Sequence, residues 1–102
     1  MDAVGAVSGS SPAYVFMFLE AMADAAVAAG MPRTQAYEFA AQAVYGSAKL
    51  AMEIGRHPGE LKDMVCSPGG TTIEGVKVLE ENGFRGAVMD ALLATVEKSR
   101  RL

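Results

Sequence analysis

The sequence has little of what a disulfide-bonded or sheet-based domain needs. Its 102 residues include no tryptophan and one cysteine, Cys66, and only 7% are aromatic. A single cysteine cannot form a disulfide within the chain, and no positively charged segment precedes an apolar core near the N-terminus, so we expect a cytoplasmic protein. The shortage of alternating Thr, Tyr, Phe and Ile argues against a β-sandwich.

Motifs for nucleic acids, metals and dinucleotides are also missing. Nine basic residues stand against twelve acidic ones, a net charge of −3, without the basic stripe that nucleic-acid binding requires. The single histidine, His57, has no second His or Cys at ligand spacing, so no metal site is expected. Because Gly-x-Gly-x-x-Gly, Walker and paired-Cys motifs are absent, we expect the chain alone to bind no dinucleotide.

One apolar stretch is long enough to resemble a membrane span. It covers residues 12–29 and is interrupted by Glu20 and Asp24. Each carboxylate near the centre of a span costs about 2.5 to 3.5 kcal/mol on an insertion scale, and the Ala-rich remainder offsets little of that cost. We therefore expect a buried helix of a soluble protein and no membrane partner.

The hydrophobic content, 51%, is carried mainly by Ala, Val, Leu and Met, which suit close packing between helices. The length fits one domain, residues 1–102, and the pattern predicts an all-α fold. An irregular lead-in over residues 1–10, an N-cap at Ser11 and a capping box formed by Thr71 and Glu74 are expected. Glycine and proline positions predict helices over residues 12–29, 33–54, 60–65, 71–82 and from 84 to near the end.

Two of these helices carry very narrow polar stripes. Glu38, Gln42, Lys49 and Glu53 span only about 60° of the helix circumference, and Glu20 with Asp24 form a similar stripe. One short chain can hardly cover the remaining apolar surface. We therefore predict a helical bundle whose two long apolar helices intertwine with a partner chain in a homodimer. The alternative is a compact monomeric bundle with an Ala-rich interior.

The segment from Ser67 to Thr72 is the strongest candidate for a binding site. Gly69 and Gly70 allow close approach of a ligand to the backbone, and the following helix presents free N–H groups and the positive end of its dipole. These features suit a small carboxylate. The alternative is an ordinary loop that only caps the helix.

Four segments resemble the C-terminal domain of pyrroline-5-carboxylate reductase: residues 8–14, 30–33, 57–72 and 80–86. The resemblance implies that NAD(P)H reduces 1-pyrroline-5-carboxylate to L-proline, the last step of proline biosynthesis. It also implies a preceding Rossmann domain, missing here, that binds NADPH or NADH. The helical domains of two chains would form a homodimer, and such dimers can assemble further.

The resemblance also assigns roles within the loop. Ser67, Gly69, Gly70, Thr71 and Thr72 correspond to the part of the family that holds the substrate carboxylate. The Thr72 hydroxyl would lie near the ring nitrogen and act as the catalytic group. A second hypothesis is an isolated helical oligomerisation module with no retained ligand binding or catalysis.

Overall fold

The computed structural model describes residues 2–101, and every regular element in that range is helical. The elements are α1 (Asp2–Gly5), a π turn (Ala6–Ser10), α2 (Ser11–Ala28), α3 (Arg33–Ile54), α4 (Pro58–Val65), α5 (Thr71–Glu81) and α6 (Phe84–Arg101). The predicted all-α class is confirmed. The chain divides into two compact units, residues 8–55 and residues 1–7 with 56–102.

The predicted irregular lead-in is wrong, because the described part of residues 1–10 is helical. α1 and the π turn continue into α2 without a non-helical residue between them. Pro12 lacks an N–H group, and its ring would clash with a carbonyl one turn earlier in a regular α-helix. The π turn, which ends two residues before Pro12, changes the hydrogen-bond register and lets the helix continue. Ser11 is consequently not an N-cap but the first residue of α2, and Ser10 before it makes no side-chain cap bond.

α2 and α3 pack against each other in the unit of residues 8–55. Gly30, with φ 110°, ends the first helix, and Gly55, with φ 69°, ends the second at the predicted position. The two helices are also joined by an ion pair between Arg33 and Asp24. The hydrogen bond to Asp24 is the main cause that raises the pKa of Arg33.

The contact between α2 and α3 is made by small side chains. Ala23, Ala36 and Ala40 are buried, whereas Phe16, Met17, Phe39 and Met52 are all more than 60% exposed. Among the described residues no large side chain is fully buried. The expected burial of the two apolar helices is therefore not met within one chain.

The first long helix also passes a simple test for a membrane span. Residues Asp2–Ala28 form one helix that is long and apolar enough to cross a membrane by length and composition alone. A core helix of a soluble protein meets the same criterion. Only 6% of the apolar window is buried in this chain, so its surface must be covered by water, lipid or another protein chain.

The second unit contains α1, α4, α5 and α6. α1 contacts α6, and the Asp2 carboxylate accepts hydrogen bonds from Arg100 at 3.1 Å and Ser99 at 3.5 Å. α6 begins at Phe84 as predicted, and within it the Arg101 side chain pairs with Glu97, one turn earlier, at 3.2 Å.

The predicted capping box of α5 is wrong. Gly70 precedes the helix and no side chain caps it, so Thr71 is the first helical residue instead of the cap. Thr71-x-x-Glu74 therefore begins one position too late for the capping geometry. The tight turn before α5, described below, determines where the helix begins.

Candidate functional site

A tight turn joins α4 to α5 and carries the predicted site residues. The Gly70 N–H donates to the Ser67 carbonyl oxygen at 3.0 Å, which closes a four-residue turn. Pro68 occupies its second position and Gly69, with φ 68°, its third. Proline followed by a residue with positive φ is the signature of a type II turn, and glycine adopts that φ without steric cost.

Gly70 is required for a different reason. Its φ of −83° and ψ of 177° are extended values open to any residue. A Cβ atom at this position would collide with the Ser67 hydroxyl oxygen and would lie 3.2 Å from the Ser67 carbonyl oxygen. The missing side chain therefore leaves space for the Ser67 hydroxyl beside the start of α5.

The turn delivers the chain to the N-terminus of an eleven-residue helix. Thr71 and Thr72 are the first two residues of α5, both are exposed, and no side chain caps the helix. The first N–H groups of a helix have no carbonyl partner within it, and the helix dipole adds partial positive charge there. The structure thus places all five predicted site residues at one accessible helix N-terminus, an arrangement suited to an anion.

Two other kinds of reactive group are relevant near the turn, a thiol and a set of metal ligands. Cys66, directly before it, is a half-buried free thiol. Within residues 2–101 no group of three or more His, Cys, Asp or Glu side chains is placed to hold a metal ion.

His57 has a structural role that the sequence did not reveal. It is exposed, and its Nδ1 atom accepts a hydrogen bond from the Gly59 N–H at 2.9 Å. It is the N-cap of α4, and Pro58 occupies the first helical position, so the helix begins two residues before the predicted start at Glu60. Histidine is not among the usual N-cap residues, so the sequence did not predict an N-cap at His57.

His57 also borders an open groove of about 450 Å³ in the same unit. The groove is lined by His57, Pro58, Gly59, Lys62, Val76, Leu79, Glu80, Phe84 and Arg85. Its wall is mainly apolar, with charged side chains contributed by α4, α5 and α6. None of the five predicted site residues lines it.

Comparison with known proteins gives one consistent result. Residues 1–102 match the family described as "Pyrroline-5-carboxylate reductase dimerisation". The chain is 74% identical over 96 residues to pyrroline-5-carboxylate reductase of Escherichia coli K12, covering 94% of this chain and 36% of that protein. It is 57% identical over 102 residues to the Methanosarcina acetivorans enzyme, covering 100% of this chain and 38% of that protein.

Solved structures show the same similarity in three dimensions. The pyrroline carboxylate reductase of Plasmodium falciparum, crystallised with NADP bound, superposes with a TM-score of 0.95 at 39% identity, covering 99% of this chain and 38% of that one. The Streptococcus pyogenes enzyme gives a TM-score of 0.96 at 40% identity, covering 99% and 39%. The chain therefore spans little more than a third of the length of these relatives.

Proposed function

Since the chain belongs to the pyrroline-5-carboxylate reductase dimerisation family, we propose that it is the dimerisation and substrate-binding part of a reductase. The reductase would use NADPH or NADH to convert 1-pyrroline-5-carboxylate to L-proline. The observation that carries the proposal is 74% identity to the Escherichia coli enzyme over almost the whole chain.

The dinucleotide would bind outside this chain. The similar Plasmodium falciparum structure contains NADP, and this chain matches only 38% of it. Within residues 2–101 no strand is present, so the βαβ unit that usually holds a dinucleotide is not formed there. We propose that a Rossmann domain precedes this one in the complete reductase and supplies the hydride.

A second copy of the chain would cover the apolar surfaces of α2 and α3. Large side chains such as Phe16, Phe39 and Met52 are exposed, and apolar side chains of this size are typically buried in an obligate interface. The same coverage would bury the helix Asp2–Ala28 without a membrane. We propose a cytoplasmic homodimer that can assemble further.

The substrate carboxylate would bind at the N-terminus of α5. The Gly70 N–H is used within the turn. The backbone N–H groups of Gly69, Thr71 and Thr72 would therefore donate to the carboxylate oxygens, and the Ser67 hydroxyl, next to Gly70, would add another donor. The orientation of the bound anion would bring the ring toward the exposed Thr72 hydroxyl.

Thr72 would act on the ring nitrogen during reduction. Hydride adds to the carbon of the C=N bond, the π electron pair moves to nitrogen, and the nitrogen of the product carries a proton. A hydroxyl at the nitrogen, directly or through water, assists that proton transfer and contributes about 10²-fold to the rate.

Two substitutions in the full-length reductase test the two roles separately. Gly70→Val displaces the Ser67 hydroxyl and crowds the anion site, so KM for pyrroline-5-carboxylate should rise about tenfold or more, since charge-assisted hydrogen bonds contribute about 1.5 to 3 kcal/mol each. Thr72→Ala should lower kcat about 10²-fold with little change in KM. Steady-state kinetics at saturating NADPH measure both effects.

Gly75→Ala is the matched control on the same helix. A Cβ atom at Gly75 meets nothing within 4 Å, so kcat and KM should stay unchanged. If Gly70→Val leaves KM unchanged and Thr72→Ala leaves kcat unchanged, the turn is only a helix cap. The chain would then be an oligomerisation module without ligand binding, and titration with proline would show no binding.

A further inference from the structure

We propose that His57 is a positioning residue for the substrate-binding turn of the reductase. It caps α4, and α4 leads directly into the turn. This inference rests on the proposed function of that turn. It assigns to His57 a role in substrate affinity.

The cap is well formed. The His57 Nδ1 atom accepts from the Gly59 N–H at 2.9 Å, and the His57 carbonyl oxygen accepts from the N–H groups of Glu60 at 2.9 Å and Leu61 at 3.3 Å. Both the side chain and the backbone of His57 therefore bind the first turn of α4. Removing a side-chain cap of this kind typically costs several-fold in the population of the helix.

Gly59 provides the space that the imidazole needs. A Cβ atom at Gly59 would lie 3.0 Å from the His57 Nδ1 atom and 3.3 Å from its Cε1 atom. Its φ does not lie in the left-handed region, so backbone conformation does not demand glycine here. Alanine is the better helix former, and the glycine is thus explained by the close approach of the ring.

α4 depends on its ends because it has no core of its own. The helix is eight residues long and none of its residues is buried. Helices of this length are marginal in water without packing or caps. At its other end the Cys66 N–H donates to the Asp63 carbonyl oxygen at 3.1 Å, and Ser67 of the turn follows immediately. Loss of the cap should therefore loosen the residue from which the turn starts.

Substitutions at His57 in the full-length reductase test the cap through KM. His57→Ala should raise KM for pyrroline-5-carboxylate about fivefold and leave kcat nearly unchanged. His57→Asn should restore KM, because the asparagine side chain is a strong N-cap. Gly59→Ala should also raise KM, although helix propensity alone would favour it. Unchanged KM in both His57→Ala and Gly59→Ala would overturn the positioning role.

Amide hydrogen exchange separates this proposal from that of the turn's function. In the absence of substrate, exchange in the peptide covering residues 66–72 should be faster in His57→Ala than in the unsubstituted or His57→Asn enzyme, at equal pH. Faster exchange with no effect of Gly70→Val on KM would mean that the cap positions the turn but the turn does not bind substrate. Equal exchange in all three enzymes would reject the link between His57 and the turn.

Discussion

The two adjacent glycines of the turn before α5 show that the same residue type meets different requirements. Gly69 provides a left-handed φ of 68°, whereas Gly70 has extended backbone angles and leaves room for the Ser67 hydroxyl. At Gly70 a side chain would disturb the site by crowding, and at Gly69 it would strain the turn itself. The proposed carboxylate site needs both the left-handed φ at Gly69 and the absence of a side chain at Gly70.

The effect of a substitution at Gly69 can be compared with that at Gly86, a glycine whose φ is not positive. Gly69→Ala should lower the free energy of unfolding by about 1 to 2 kcal/mol, because the left-handed conformation brings Cβ close to the next carbonyl oxygen. Gly86→Ala in α6 should raise it by about 0.5 to 1 kcal/mol, since a Cβ atom there meets nothing within 4 Å and φ is not positive. Urea unfolding followed by circular dichroism measures both. Equal effects would contradict the strain argument.

At the scale of elements, the hairpin of α2 and α3 is held by close contact between small residues. Ala23, Ala36 and Ala40 are buried, and substituting larger side chains would push the helix axes apart. Small side chains let the two helix axes approach closely, which is consistent with a chain rich in alanine and poor in aromatic residues.

This packing predicts a sharp difference between two positions two residues apart. Ala40→Leu should destabilise the protein by about 1 to 3 kcal/mol, because extra methylene groups overfill the contact. Gln42→Leu on the exposed polar stripe should change stability by no more than about 0.5 kcal/mol, although it introduces the same side chain. Thermal unfolding compares them, and a similar loss for both would show that the α2 and α3 contact is not closely packed.

At the scale of the whole molecule, the central feature is the apolar surface that one chain leaves uncovered. Phe39 is 64% exposed, and its neighbour Glu38 lies on the narrow polar stripe of α3. In the proposed homodimer the partner would bury the Phe39 side chain, whereas the Glu38 side chain would remain in water.

These neighbours provide a matched test of the dimer. Phe39→Lys should weaken dimerisation by about 3 kcal/mol or more, roughly 10²-fold in Kd, because it places an unpaired charge in an apolar interface. Glu38→Lys should leave the dimer intact. Light scattering over a dilution series at micromolar concentration distinguishes the two. A stable, folded monomer of the unsubstituted chain would exclude the proposed dimer altogether.

Local chemistry in the sequence was sufficient to locate most helices and the candidate site. Pro32 and Gly55 delimit α3, Gly83 with Phe84 marks the start of α6, and Pro68-Gly69-Gly70 marks the turn. Each acts through its own backbone, by a missing N–H group or an accessible left-handed φ, and needs no distant partner. The same patterns predicted the all-α class and the stripes that leave two helices largely apolar.

Only the tertiary structure decided features that depend on the exact register of neighbouring residues. Pro12 suggested a helix start, but a π turn precedes it and the helix begins earlier. Thr71 suggested a cap, but the turn ends at Gly70, so the helix starts one residue earlier than a cap at Thr71 would require. His57 became a cap because Gly59 lets its ring approach the backbone. Such outcomes follow from atomic distances and hydrogen-bond register, which residue type and spacing leave undetermined.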